Sequence, residues 1–166
     1  MKLIFDSTPL IYFAKAGLIN LLKKLPDEKI IPKLVYEEVV TKGKDIDKCD
    51  AFIIDELVKS RVFILKESRE AAEFSKVPKL HKADAEVLAL AREMNGIAII
   101  DDMAARNIAI IEGIEYGGSI WLLFRLVKKK IIKKTEAKNS VDNFIKIGWR
   151  CSTELYSVIM KELEEL

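Results

Sequence analysis

Two short apolar runs end in acids. Lys2-Leu3-Ile4-Phe5 stops at Asp6, and Ile97-Ala98-Ile99-Ile100 stops at Asp101-Asp102. Two more acids, Glu38 and Asp84, sit among apolar neighbours in stretches of helical character. Carboxylates with no histidine or thiol partner suit a hard divalent cation such as Mg²⁺ or Mn²⁺. Without a cation they repel one another and some pKa values rise. With one or two ions they could support water activation and phosphodiester hydrolysis. Each acid also has a plainer reading. Asp6 precedes Ser7-Thr8-Pro9, the grammar of a helix start with a hydroxyl N-cap and Pro at N1, where any acid is favoured. Glu38 and Asp84 taken singly read as solvated surface acids. Glu37 rivals Glu38. Asp101 is preferred over Asp102 because it stands at the strand end, with Asp102 kept as a ligand or as a partner acting through water. Asp84 borders the apolar face of its helix, whereas Glu86 points elsewhere, about 200° round it.

The elements that must hold these acids alternate. Strands are expected at Lys2–Phe5, Lys29–Ile31, Val62–Leu65 and Ile97–Ile100, with a weaker fifth through Gly113–Tyr116. Between them, apolar residues at a period near 3.6 mark helices over Pro9–Leu25, Lys33–Thr41, Ile46–Lys59, Lys82–Met94 and Ser119–Lys130, with Gly96 as a C-cap after Met94. The alternation implies a three-layer α/β/α fold around a parallel sheet of four or five strands. In such sheets ligands bind beyond the carboxyl ends of the strands, where Asp6 and Asp101 fall. Residues 1–132 are expected to form this domain. Residues 133–166 are expected to be a helical extension packed on it through Val141, Phe144, Ile145, Trp149, Leu155, Ile159 and Met160.

Composition narrows the classes further. Of 166 residues, 50% are hydrophobic, enough for a core and too many for a disordered chain. Lys and Arg number 28 against 26 Asp and Glu, a net +2, which excludes a generic basic protein that coats nucleic acid. Apolar runs reach only about five residues, so no membrane span and no signal peptide are expected. Cys49 and Cys151 are far apart and outside any CxxC pattern, and His81 is the single histidine, so neither a disulfide framework nor structural zinc is expected. A cytoplasmic setting is the default.

Taken in order, the acid-bearing segments resemble a PIN domain, the fold of metal-dependent ribonucleases that includes the VapC toxins. Phe5-Asp6-Ser7-Thr8-Pro9-Leu10-Ile11 is similar to the family's opening motif. Ile31-Pro32-x-x-Val35-x-x-Glu38-Val39 resembles the second and selects Glu38 over Glu37. Lys82-Ala83-Asp84-Ala85-Glu86-Val87-Leu88 resembles the third, with Ala83 in place of the usual Gly and Asp84 where Glu is common in the subgroup. Ile99-Ile100-Asp101-Asp102-Met103-Ala104-Ala105-Arg106 resembles the fourth. Gly148-Trp149-Arg150 and its surroundings resemble the C-terminal extension of one subgroup, many of whose members are archaeal or bacterial. The resemblance implies a Mg²⁺- or Mn²⁺-dependent ribonuclease with Asp6, Asp84 and Asp101 as main ligands. Glu38 would share the ligation or hold water. Ser7 or Thr8 would orient Asp6, and Arg106 would contact phosphate or pair with the acids. Ser119 would face the site or simply cap its helix. The resemblance also implies a homodimer and, for a toxin, a small antitoxin partner.

An acidic site needs flanking cations to receive RNA. The densest basic stretch, Arg125, Lys128, Lys129, Lys130, Lys133 and Lys134, is a candidate for tracking phosphates, against the plainer reading of a solvated helix end. Phe13, Trp121, Phe124 and Trp149 read as core or dimer surface rather than stacking platforms. The rival to a ribonuclease is a catalytically silent PIN-fold module that binds RNA or protein. A haloacid-dehalogenase phosphatase would need Asp where Thr8 stands. A receiver domain would need an acid pair at the first strand and an Asp after Leu65.

Overall fold

The computed structural model describes every residue except Lys79. Among these residues five strands, β1 (Lys2–Phe5), β2 (Glu28–Pro32), β3 (Ile64–Lys66), β4 (Ile97–Ile99) and β5 (Tyr116–Gly117), form one sheet in the order β3-β2-β1-β4-β5, all parallel. β1 is central, and Leu3, Ile4 and Phe5 are fully buried because helices cover both sheet faces. Chain direction along the sheet reverses at β1: β2 and β3 lie on one side, β4 and β5 on the other. The crevice between the carboxyl ends of β1 and β4 is therefore the topological switch point, the place where such sheets bind ligands.

Among the described residues, ten α-helices surround the sheet: α1 (Ser7–Lys15), α2 (Lys33–Tyr36), α3 (Lys42–Asp45), α4 (Cys49–Lys59), α5 (Ala71–Phe74), α6 (Lys82–Met94), α7 (Met103–Ile111), α8 (Ser119–Lys128), α9 (Lys134–Lys146) and α10 (Thr153–Glu165). α1 packs with α4 and α8, and α9 packs on α8. α6 lies against β1, β2 and β4 and carries α5 and α7 beside it. The C-terminal helices share the main core. Phe144 of α9 meets Phe13 of α1 with ring centroids 5.5 Å apart, and Tyr12 at 5.9 Å.

Three expectations change. The stretch Pro9–Leu25 is not one helix. α1 ends at Lys15, Gly17 turns the chain with φ +71°, and Ile19–Lys24 forms a 3₁₀ turn. The apolar period survived that break because a 3₁₀ turn still buries every third or fourth residue. The second helical stretch changes winding: a π-helical turn at Glu37–Thr41 lies between α2 and α3. At the end of α6, Asn95 takes the left-handed cap position (φ 48°) and Gly96 follows it. Gly96 is needed for space, since a Cβ there would stand 2.4 Å from Ile4 Cδ1.

Candidate active site

Asp6 follows β1 directly. Its backbone N–H donates to Ile99 O of β4 at 3.0 Å, so the two strand ends are laced together under it. It is the N-cap residue of α1, placing Ser7 at N1 and Pro9 at N3, where a missing N–H still costs no helical hydrogen bond. Yet its side chain makes no cap hydrogen bond. The carboxyl is only 4% exposed. Burial first, then the charge of Asp84, and to a lesser degree that of Glu38, push its pKa up to about 8, while the nearby N–H groups of Ser7 and Thr8 pull partly the other way. Asp84, at the third position of α6, is also buried and also raised, by burial and then by the charge of Asp102, with Glu38 adding to it and His81 opposing. Glu38 lies in the π-helical turn and accepts a hydrogen bond from the Ser7 hydroxyl. Turns of this kind recur at functional sites because the extra residue re-aims a side chain.

The two adjacent acids of the fourth motif have different surroundings. Asp101 is fully engaged: Oδ1 accepts from Arg106 Nη2 (3.1 Å) and from the Ser119 N–H (2.9 Å), and Oδ2 accepts from the Ser119 hydroxyl (2.5 Å). Asp101 thus joins the start of α8 to α7. Gly118 makes room for it, because a Cβ there would fall 2.4 Å from Asp101 Oδ1 and 2.2 Å from Arg106 Nη2. Asp102 is exposed and caps α7, with Oδ2 accepting from the Ala105 N–H at 2.9 Å, and its charge is the strongest of those acting on Asp84. Asp101 is thus held by the walls of the site, whereas Asp102 is the one of the pair whose charge reaches Asp84, and both line the same groove. Ser119 is not the cap of its helix, a position Gly118 holds. It serves Asp101 instead. Thr8 and Tyr12 line a groove that opens on Asp101 and Asp102.

Glu86 is 3% exposed rather than turned to solvent. It accepts from the N–H of Leu34 (2.8 Å) and of Ser68 (3.3 Å), tying α6 to the start of α2 and to the loop after β3. No spacing rule exposes that role, because both partners are distant in sequence.

The basic stretch is not beside the acids. α8 begins at the carboxyl edge, where Ser119 holds Asp101, and runs back toward the amino ends of the strands. There Arg125 binds Asp27, just before β2, through two hydrogen bonds of 2.7 and 2.9 Å, and the Met1 amine stands 3.3 Å from the same carboxylate. Lys128, Lys129 and Lys130 lie beyond Arg125, at the far edge of the sheet. Arg125 is a structural partner of Asp27, and the phosphate-tracking reading of this run loses its geometry.

The family profile for the PIN domain matches residues 2–165, through all five strands and the C-terminal helices. The chain belongs to the PIN-domain family. No curated protein matches it. PIN domains are in general nucleases that use divalent metals, and the clustered acids of this PIN domain offer the hard oxygen donors such a metal takes. Among the described residues, no group of three His, Cys, Asp or Glu side chains closes on a common point. Mg²⁺ does not require such a cage, because it keeps several waters and is held by one or two carboxylates together with substrate oxygens. The buried, mutually repelling pair Asp6 and Asp84 fits that manner of binding. Again among the described residues, no helix is long and apolar enough to cross a membrane.

Proposed function

We propose that this PIN domain is a Mg²⁺- or Mn²⁺-dependent ribonuclease that hydrolyses phosphodiester bonds at the β1–β4 crevice. The observation that carries the reading is Asp6, a buried carboxyl held near pKa 8 by burial and by other acids, which joins no ion pair among the described residues. Such an arrangement is costly to folding, and a divalent cation relieves it. Asp6 and Asp84 would hold the ion, with Glu38 and Asp102 completing its surroundings through water. A bound divalent cation supplies a nucleophile from water at neutral pH and polarises a phosphoryl oxygen. Ser7 fixes the Glu38 carboxylate. Arg106 and Ser119 hold Asp101 as a rigid flank. An RNA-cleavage assay in Mg²⁺, Mn²⁺ or EDTA tests the reading. Asp6→Asn and Asp84→Asn are each expected to lower the rate by about 10²- to 10⁴-fold. Cleavage in EDTA, or full activity in both variants, would sink it. Well-folded protein that cuts no RNA in either metal would favour the silent binding module instead.

Two narrower proposals go with this one. Service as the toxin of a toxin–antitoxin pair rests on the resemblance to VapC toxins, and growth arrest on expression, relieved by a small neighbouring reading frame, tests it. A homodimer is supported by the exposed apolar residues Met103, Ile110 and Ile111 of α7, beside the edge strand β5 with its exposed Tyr116. Light scattering on the purified chain measures it. A cytoplasmic setting is part of the same proposal.

A further inference from the structure

A polyanion cannot approach four carboxylates without a cation beside them. Arg125 and the lysines after it lie at the opposite edge of the sheet, and Arg106 is paired with Asp101. A cation that faces the crevice comes from the loop between α9 and α10. Gly148, Trp149 and Arg150 close one side of a groove of about 280 Å³, whose opposite walls are Thr8, Tyr12 and the Asp101-Asp102 pair. Arg150 is exposed, and among the described residues it joins no ion pair and no side-chain hydrogen bond. Its charge is felt across the groove, where it lowers the pKa of Tyr12 against burial and Asp101, which raise it.

The loop is held in place. The Trp149 N–H donates to Phe144 O at 2.8 Å and the Gly148 N–H to Ile145 O at 3.0 Å, both at the end of α9. Gly148 adopts φ +102°, a conformation closed to ordinary side chains, and this turns the chain toward α1. Trp149 forms a partition: one side borders this groove and the other an apolar cavity of about 310 Å³ under α10. An arginine on a braced loop presents a planar fork of donors suited to phosphate oxygens. Because Asp6 is only 4% exposed, a phosphate must dip into the crevice to reach it, which a single strand can do and a stiff duplex cannot.

We propose that Arg150 is a phosphate anchor for single-stranded RNA, holding a phosphodiester adjacent to the one presented to the carboxylates. The inference rests on the nuclease reading and extends it to a residue of the C-terminal extension. The test measures binding of a labelled single-stranded 12-mer RNA, and of DNA of the same sequence, by fluorescence anisotropy in Mg²⁺, using the full chain with Asp84→Asn to stop cleavage. Arg150→Ala is expected to weaken RNA binding about 5- to 10-fold and to reduce the slope of log affinity against log salt by about 0.7, the value for one lost contact on a single strand. Arg150→Lys should recover most of the affinity. Combined Lys128→Ala, Lys129→Ala and Lys130→Ala should leave it within about twofold. In the otherwise wild-type chain, Arg150→Ala should raise KM by a similar factor and change kcat less. Unchanged affinity, KM and salt slope in Arg150→Ala overturn the anchor while leaving the nuclease standing. Arg150-dependent binding by a chain that cuts no RNA supports the anchor and overturns the nuclease. Tighter binding of the DNA than of the RNA overturns RNA as the ligand class, and absence of RNA binding overturns both readings.

Discussion

Six acids are buried among the described residues, and four of them, Asp6, Asp84, Asp27 and Asp55, fall into two kinds. Asp27 and Asp55 are 2% and 4% exposed at their side chains, and each is surrounded by cations. Asp27 has Arg125 and the Met1 amine. Asp55 has Lys44, Lys59 at 2.9 Å and the Tyr36 hydroxyl at 2.7 Å. In both, burial alone would raise the pKa, and the partners more than reverse it. Tyr36 is pushed up to about 12 in return, chiefly by the hydrogen bond it gives Asp55. Asp6 and Asp84 are buried to a similar degree and have other acids for neighbours, so their pKa values rise. Burial is common to both kinds. Partners decide whether a buried carboxylate braces the fold or stores charge that an external cation can answer.

The largest expected effect is kinetic. Asp6→Asn keeps the shape and removes the charge, and the loss of about 10²- to 10⁴-fold in cleavage corresponds to roughly 3–5 kcal/mol of barrier. The same substitution at a paired acid should leave the chemistry alone, so a similar kinetic loss in Asp27→Asn would erase the distinction. Next comes Arg125→Ala, which deprives the buried Asp27 of its two strongest hydrogen bonds and should cost about 3 kcal/mol in urea unfolding. Smaller and opposite in sign is the effect of Asp6→Asn on the cation-free protein, a gain of roughly 1–2 kcal/mol at pH 8. Mg²⁺ at about a hundred times its Kd should raise wild-type stability by about 2.7 kcal/mol and Asp6→Asn by much less. Gly118→Ala pushes a methyl group into Asp101 and Arg106 and should cost about 1–3 kcal/mol, with activity falling alongside.

Acid separates the two kinds most directly. The folded Asp6 carboxyl keeps its proton up to about pH 8, whereas the unfolded chain releases it near 3.8. The folded state therefore binds more protons across that window, and this group's contribution to stability falls as pH rises from about 4 to 8. Asp27 and Asp55 have lowered folded values, so their contributions are complete above about 3.8 and disappear as pH falls below it. Unfolding free energies of wild type and Asp6→Asn, without metal, should diverge between pH 5 and 8. Parallel curves there would contradict the assignment.

Most of the scaffold was readable because it is written in local pattern. Strand ends at Asp6 and Asp101-Asp102, the amphipathic run of α6 and the parallel α/β class all follow from residues close in sequence. What escaped depends on partners far apart. Asp101 reads as a bare strand-end acid until Ser119, 18 residues on, is seen to bind it. Glu86 reads as turned away until Leu34 and Ser68 meet it. Arg125 reads as part of a basic run until Asp27, 98 residues earlier, takes its guanidinium. Arg150 carried no signal in the acid motifs, since its proximity to Tyr12 and Asp101 depends on how α9 and α10 fold back over α1. The π-helical turn under Glu38 left no mark on the apolar period either, because one extra residue in a short helix shifts the pattern too little.

The central strand has a kinetic consequence. β1 is the first strand in sequence, yet its pairing with β4 brings Leu3 beside Ile97, a separation of 94 residues. Contacts that distant form late because closing so long a loop costs entropy before any pairing repays it. Asp6 and Asp84 are not forced together until that register closes, when much of the apolar surface is already covered. Their repulsion should accordingly weigh on the unfolding limb of a chevron more than on the folding limb, and relieving it with Asp6→Asn should slow unfolding while leaving refolding nearly as it was.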